Sequence, residues 1–345
     1  MKKPKNDLWS APVWAALLAP GLSVLPGLLA RTAGGAGWLS VAILPPVLVF
    51  AAGLVRGRRG CGLAEQVSRP GLWGGLLTFI YIICAPPLLA VRLRMGAQLL
   101  AVTAQEGTGV WFFVLLLTAA AVRSGWGDAG TFLRAAAVVC RILLCALAAV
   151  CLLSLFRLRG EYLWPVCTRD VPGVLRGAVC VLGVFGAGVY AAFLAPARSE
   201  TTGSWLYVGA GAQALAVLCV AGCLGAELAG RLADPWLTLA RGVGVNGTVR
   251  RLESLVSALW LLADAAYLGL VVQGTRRLCA RWLGRREKWS VPALLGMAAV
   301  LALTVLREDG VARRVQEQLV PTLGLLAGVG LPLLLWGISC GKKRR

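Results

Sequence analysis

Apolar residues in this chain come in long runs separated by short polar stretches, rather than in the two-residue alternation of half-buried strands. Windows of spanning length lie at about 9–30, 37–55, 72–91, 108–123, 133–156, 174–195, 205–227, 254–275, 290–306 and 319–340, the fourth and ninth being the shortest. A helix of about 20 apolar residues crosses the hydrocarbon core of a bilayer. The pattern predicts an all-α, polytopic membrane protein of about ten transmembrane helices. Because the polar connections are too short to house a soluble domain, residues 1–345 are expected to form a single membrane domain.

The first run, Trp9–Ala30, is long enough to span, yet Ala19-Pro20-Gly21-Leu22-Ser23 interrupts it at its centre and Pro26-Gly27 interrupts it again. Proline removes an amide donor and crowds the preceding turn, and irregular backbone at membrane depth persists only where protein or a wet cavity satisfies it. The sixth run carries Gly183-Val184-Phe185-Gly186-Ala187-Gly188 at its centre. Divided into halves of five spans, about 9–157 and 174–340, the chain thus has a Gly- or Pro-rich interruption in the first span of each half. That arrangement points to an inverted repeat with broken first and sixth helices around a mid-membrane site. Small residues also serve close helix packing, and among 43 glycines such a coincidence is easily reached.

Composition adds sidedness and removes several function classes. Of 345 residues 58% are hydrophobic and 14% charged, with a net charge of +20 and no histidine. The basic residues stand in blocks between spans, which argues for topology rather than for a nucleic-acid surface. Lys2–Lys5, Arg56–Arg59, Arg276–Lys288 and Lys342–Arg345 all fall on one face of a ten-span chain, so both termini are expected in the cytoplasm. The first run exceeds a signal-peptide core and is read as a retained span. Leu228–Glu253 is expected to be a partly helical, amphipathic external loop. The 11 cysteines form no CxxC pair, most lie in apolar runs, and no histidine joins them, so no metal or other cofactor is expected. Neither a nucleophile elbow nor a phosphate loop is present, which argues against an enzyme.

Several short motifs, in order, resemble the membrane-embedded B subunit of spore germinant receptors, the GerAB type. They are Leu25-Pro26, Gly37-Trp38-Leu39-Ser40, Gly160-Glu161-Tyr162-Leu163-Trp164-Pro165, Ala226-Glu227-Leu228-Ala229-Gly230-Arg231 with Pro235, Arg251-Leu252-Glu253-Ser254-Leu255 with Trp260, and the basic tail after Pro332. The resemblance covers nearly the whole chain. It implies the fold of amino acid/polyamine/organocation transporters, a LeuT-type 5+5 inverted repeat. It also implies a small amino acid or similar nutrient as ligand, an A subunit and a lipoprotein C subunit as partners, and a place in the cell membrane and spore inner membrane. One departure stands out: the family often has a Gly-Glu pair at the sixth-span break, where this chain has Gly186-Ala187-Gly188.

Within that frame the candidate site residues are Gly21, Leu22, Ser23, Tyr81, Gly183, Gly186, Asp264 and Tyr267. A ligand carboxylate would meet free amides near Gly21, Leu22 and Ser23, and its ammonium would meet carbonyls around Gly183–Gly186. Asp264 is a carboxylate inside an apolar span, a functional candidate by default, able to receive an ammonium or carry a proton. Tyr267 follows by three residues and shares its helical face. Tyr81 is too central for interface anchoring and needs a polar partner. Arg141, in the fifth span, is the structural or gating candidate and a possible ion partner of Asp264. Arg92 and Arg94 are read as snorkelling to the interface, and Glu106, Glu161, Glu227 and Glu253 as solvated span ends. The function expected is a ligand-sensing, permease-like subunit. The alternatives are a secondary amino-acid transporter, proton-coupled through Asp264, and a scaffold whose site has degenerated.

Overall fold

The computed structural model describes residues 10–56, 63–68, 72–103, 109–164, 167–194, 204–242 and 252–341. Its α-helices are α1 (Ala11–Ala33), α2 (Gly37–Ala42), α3 (Leu44–Arg56), α4 (Leu63–Ser68), α5 (Leu72–Thr103), α6 (Val110–Trp126), α7 (Ala129–Ser154) and α8 (Val171–Phe185). They continue with α9 (Trp205–Leu224), α10 (Ala226–Arg231), α11 (Pro235–Gly242), α12 (Leu252–Leu283), α13 (Ser290–Thr304), α14 (Asp309–Leu325) and α15 (Leu331–Gly341). Among the described residues seven helical stretches are long and apolar enough to cross a membrane. One of these, Ser257–Thr304, contains most of α12 and all of α13, and two shorter apolar helices lie at Leu44–Val55 and Val110–Trp126. All ten sequence windows therefore coincide with helices, and the chain is an all-α polytopic membrane protein.

The first span departs from the broken helix expected of it. α1 runs without interruption through Pro20 and Pro26 and is buried on nearly every side, with Trp14, Ala15, Ala16, Leu17 and Leu25 all at zero or nearly zero exposure. A helix apolar all round belongs at the centre of a bundle, and α1 lies there, against α7, α8, α9 and α12. In a continuous helix each proline leaves the carbonyl four residues earlier without its amide, so the freed groups are the carbonyls of Ala16 and Leu22. The amides of Gly21, Leu22 and Ser23 are taken up in the helix.

The sixth span changes helix type instead of breaking. α8 passes at Gly186 into a 3₁₀ helix, Gly186–Phe193, that tightens the chain against α14. A Cβ at Gly183 would run into the Pro321 carbonyl, and one at Gly186 into the Gly324 carbonyl. These glycines allow two backbones to touch, the small-residue packing common in membranes. α14 carries Pro321 and gives way to a π-helical turn, Leu326–Gly330, before α15. The last span begins at Asp309, nearly three turns before the apolar window, and among the intervening polar residues Gln316 is buried against the protein.

Between α9 and α12 the chain turns at Gly225, whose φ of 76° lies in the left-handed region that glycine tolerates, and folds into α10 and α11. Pro235 rests 3.4 Å from the position a Cβ on Gly27 would take, so this helical pair packs on α1. The loop expected to be partly helical is so over residues 226–242; residues 243–251 lie outside the described residues. So do the basic blocks Lys2–Lys5 and Lys342–Arg345, residues 57–59, and the side chains of Arg56, Glu106 and Glu253.

Candidate functional site

Four helices bring polar side chains to one buried point. α5 supplies Arg92, 2% exposed, at the end of its long apolar stretch and two residues before Arg94. Its Nη2 donates to Asp264 Oδ1 on α12, forming an ion pair, and its Nη1 donates to Ser23 Oγ on α1 at 3.0 Å. The same Ser23 oxygen accepts from Gln316 Nε2 on α14 at 3.1 Å, and its own hydroxyl turns back to the Pro20 carbonyl at 3.3 Å. Tyr267, one turn beyond Asp264, lies beside the guanidinium, whose carbon is 5.9 Å from the ring centre. Gly96 follows Arg92 by four residues on the same face, and a Cβ there would sit only 3.1 Å from Asp264 Oδ2. The glycine makes room for the carboxylate.

A buried ion pair holds its charges only with good geometry and further hydrogen bonds, because each ion gave up several kcal/mol of hydration. Here the accounting is incomplete. Among the described residues nothing hydrogen-bonds to Asp264 Oδ2, Tyr267 Oη or Arg92 Nε. The point thus combines one carboxylate oxygen able to accept, one guanidinium N–H able to donate, and a phenol able to do either. That is the complement of a small zwitterion.

Beside it lies a small, partly open apolar hollow of about 50 Å³, between α1, α7 and α12 and lined also by Trp236 of α11. Leu22 and Ala263 line it, and each is the immediate neighbour of a polar-cluster residue, Ser23 and Asp264. At 100° per residue, the hollow and the charges occupy adjoining strips of the same two helices.

On the far side of Gln316 the cluster reaches the α10–α11 pair. Glu317 accepts from Arg31 at 2.7 Å and from Arg313 at 3.2 Å, and Arg313 also donates to the Leu232 carbonyl. Asp234 caps α11, its Oδ1 accepting from the Leu237 amide at 3.2 Å. Burial pushes its carboxyl up to about 7, against the opposing pull of the Leu237 amide and of Arg92, Arg241 and Arg313. Arg94 is equally occupied, donating to the Arg307 carbonyl at 2.6 Å and to Asp309 at 3.0 Å.

Residues 12–309 match the family model described as spore germination protein, a permease. The chain belongs to the spore germination protein family. The match takes in Ser23, Arg92, Asp264 and Tyr267 and stops where α14 begins, so Gln316 lies beyond it. No curated protein sequence matches the chain. The family is one of permease-type membrane proteins rather than of enzymes, which gives this spore germination protein a permease-like role in the membrane.

Of the residues singled out from sequence, Ser23, Asp264 and Tyr267 come together in this germination protein. Gly21 stands two residues before Ser23 and so on the opposite side of α1, where a Cβ would collide with Gln213, a fully buried side chain of α9 whose Nε2 faces the Leu18 carbonyl at 3.4 Å. Leu22 lines the apolar hollow. Tyr81 is elsewhere: its hydroxyl donates to the Ala327 carbonyl at 2.8 Å in the π-helical turn, and its own carbonyl accepts from Tyr190 at 2.7 Å. Gly183 and Gly186 are pressed against α14, which leaves no room for a ligand ammonium at their carbonyls.

Two expectations about arginine are corrected. Arg141 is exposed on α7 and does not pair with Asp264; Arg92 does. Arg92 and Arg94 do not snorkel to the interface, since both are buried with fixed partners. The rule that singled out Asp264, a charge inside an apolar span, reaches Arg92 because α5 runs on to Thr103, past the apolar window that ends at 91. Gln316 carried a signal too, because Arg313, Gln316, Glu317 and Val320 fall at helical spacing on one face.

Proposed function

We propose that this spore germination protein is a membrane-embedded, permease-like subunit of a germinant receptor, sensing a small nutrient, an amino acid, at the Arg92–Asp264 cluster. The observation that carries the reading is an ion pair buried where four helices meet, whose remaining donor and acceptor match a ligand carboxylate and ammonium. An amino acid bound there takes the carboxylate to Arg92 and the ammonium to Asp264, exchanging one internal pair for two intermolecular ones. A ligand that loosens a contact joining α1, α5, α12 and α14 favours a different arrangement of those helices, and partner subunits respond to that shift. In this reading the chain is one membrane domain with LeuT-type repeats at about 9–157 and 174–340. It works with an A subunit and a lipoprotein C subunit in the spore inner membrane, both termini facing the core.

The experiment is a thermal-shift series on the purified chain with single amino acids, repeated on Asp264→Asn. Asparagine keeps an acceptor for Arg92, so the variant is expected to assemble with some loss of stability and to lose the ligand-induced shift. A normal shift in Asp264→Asn removes the carboxylate from the site. Concentrative uptake of a labelled amino acid into reconstituted vesicles replaces the sensor by a secondary transporter.

A further inference from the structure

α7 is the span least covered by the rest of the protein. Only 22% of its apolar window is buried, against 89% for the first span. Its exposed side follows a regular course: Arg134, Val138, Arg141, Cys145, Ala148 and Leu152 are all exposed and are spaced alternately by four and three residues. That is the spacing at which two transmembrane helices pair side by side, and small residues at Cys145 and Ala148 let a neighbouring backbone come close.

Apolar exposure alone fits lipid. Arg141 does not. It stands twelve residues from the start of α7 and thirteen from its end, about 18 Å of helix to one side and 20 Å to the other. A guanidinium cannot be deprotonated there and lies too deep to snorkel to a headgroup. Among the described residues no hydrogen bond or ion pair reaches it. A lipid-facing charge at this depth is costly, and such residues pair or face a partner.

We propose that the Arg134–Leu152 face of α7 docks a transmembrane helix of another protein, one that presents an aspartate or glutamate at the depth of Arg141. The sign of the charge names the partner's chemistry. A second copy of this chain does not supply it: Asp264 is buried and paired, and Glu317, nearer a span end, is held by Arg31 and Arg313. The docking face lies on α7 and stands whether or not the Arg92 cluster binds an amino acid.

The test places a photoreactive phenylalanine at Cys145 of the full chain in its native membrane and identifies the crosslinked peptide by mass spectrometry. The expected peptide is a foreign transmembrane segment with Asp or Glu within one turn of the attachment point. Arg141→Leu is expected to lower its yield by about tenfold, the worth of a polar contact between membrane helices. Arg141→Glu is expected to recover it only when the partner's carboxylate is replaced by lysine. Thermal unfolding of each variant separates a lost contact from a lost fold. Crosslinks only to lipid, to a second copy, or to a segment without a carboxylate overturn the proposal, as does an unchanged yield in folded Arg141→Leu.

Discussion

Two arginines lie deep in apolar spans of this protein and meet opposite surroundings. Arg92 on α5 is 2% exposed and is held by Asp264 and Ser23, with Tyr267 alongside. Arg141 on α7 is exposed, and no described residue hydrogen-bonds or ion-pairs with it. Their immediate neighbours are apolar in both cases, Val91 and Leu93 beside Arg92 and Cys140 and Ile142 beside Arg141. The difference is one of helix face: Arg92 points to where four helices converge, Arg141 away from the bundle. A charge at membrane depth requires a partner in both cases, and the described residues supply one for Arg92 and none for Arg141.

The sharpest way to break the comparison is to remove the counter-ion. Asp264→Leu leaves Arg92 charged and buried, because a guanidinium, unlike a carboxyl, cannot neutralise itself by exchanging a proton. Loss of one member of a buried pair costs about 3–5 kcal/mol, whereas replacing both members by apolar residues is often neutral. Asp264→Leu is therefore expected to lower the unfolding midpoint in detergent strongly, and Arg92→Leu/Asp264→Leu to recover most of it. A mild effect of the single change means that the pair is not what closes the junction of α1, α5, α12 and α14.

The same contrast explains which parts of this protein were legible in its sequence. The ten spans were, because a bilayer demands length and apolarity that composition records directly. Asp264 was also legible, since a lone carboxylate in an apolar run has few explanations. Its partner was not: Arg92 and Arg141 each suit the role by composition, and only the rotation of α5 and α7 decides between them. Glycine was ambiguous for a related reason. Gly183 and Gly186 signal a need for space, but a ligand and a neighbouring backbone make the same demand, and α14 turned out to occupy it. Proline misled at α1, where Pro20 and Pro26 free two carbonyls without dividing the helix, and a helix packed on all sides stays continuous through them.

A smaller effect is expected at the rim of the cluster, where Asp234 feels Arg92 across the α10–α11 pair. Its carboxyl, raised from 3.8 to about 7 chiefly by burial, binds its proton more tightly in the folded than in the unfolded protein. Stability from this group is therefore full below about pH 4 and is lost as pH rises toward 7. After screening by solvent the change is about 1 kcal/mol. The wild-type midpoint is expected to fall between about pH 4 and pH 7, and Asp234→Asn to flatten that fall. An identical slope in the variant assigns the pH dependence to other groups.

The smallest effect belongs to the exposed arginine, and its smallness is the informative result. In the purified chain Arg141 gives up no polar contact on substitution, since no described residue hydrogen-bonds or ion-pairs with it. Arg141→Leu is expected to change the unfolding midpoint by less than about 0.5 kcal/mol, the range of surface changes away from special features. In the native membrane the same change is expected to weaken association along α7. A purified variant as unstable as Asp264→Leu puts both arginines in the same class, each holding this fold together from within. A silent variant keeps them distinct: one charge neutralised by the chain itself, the other exposed on α7 and, in the docking proposed for that face, presented to a partner.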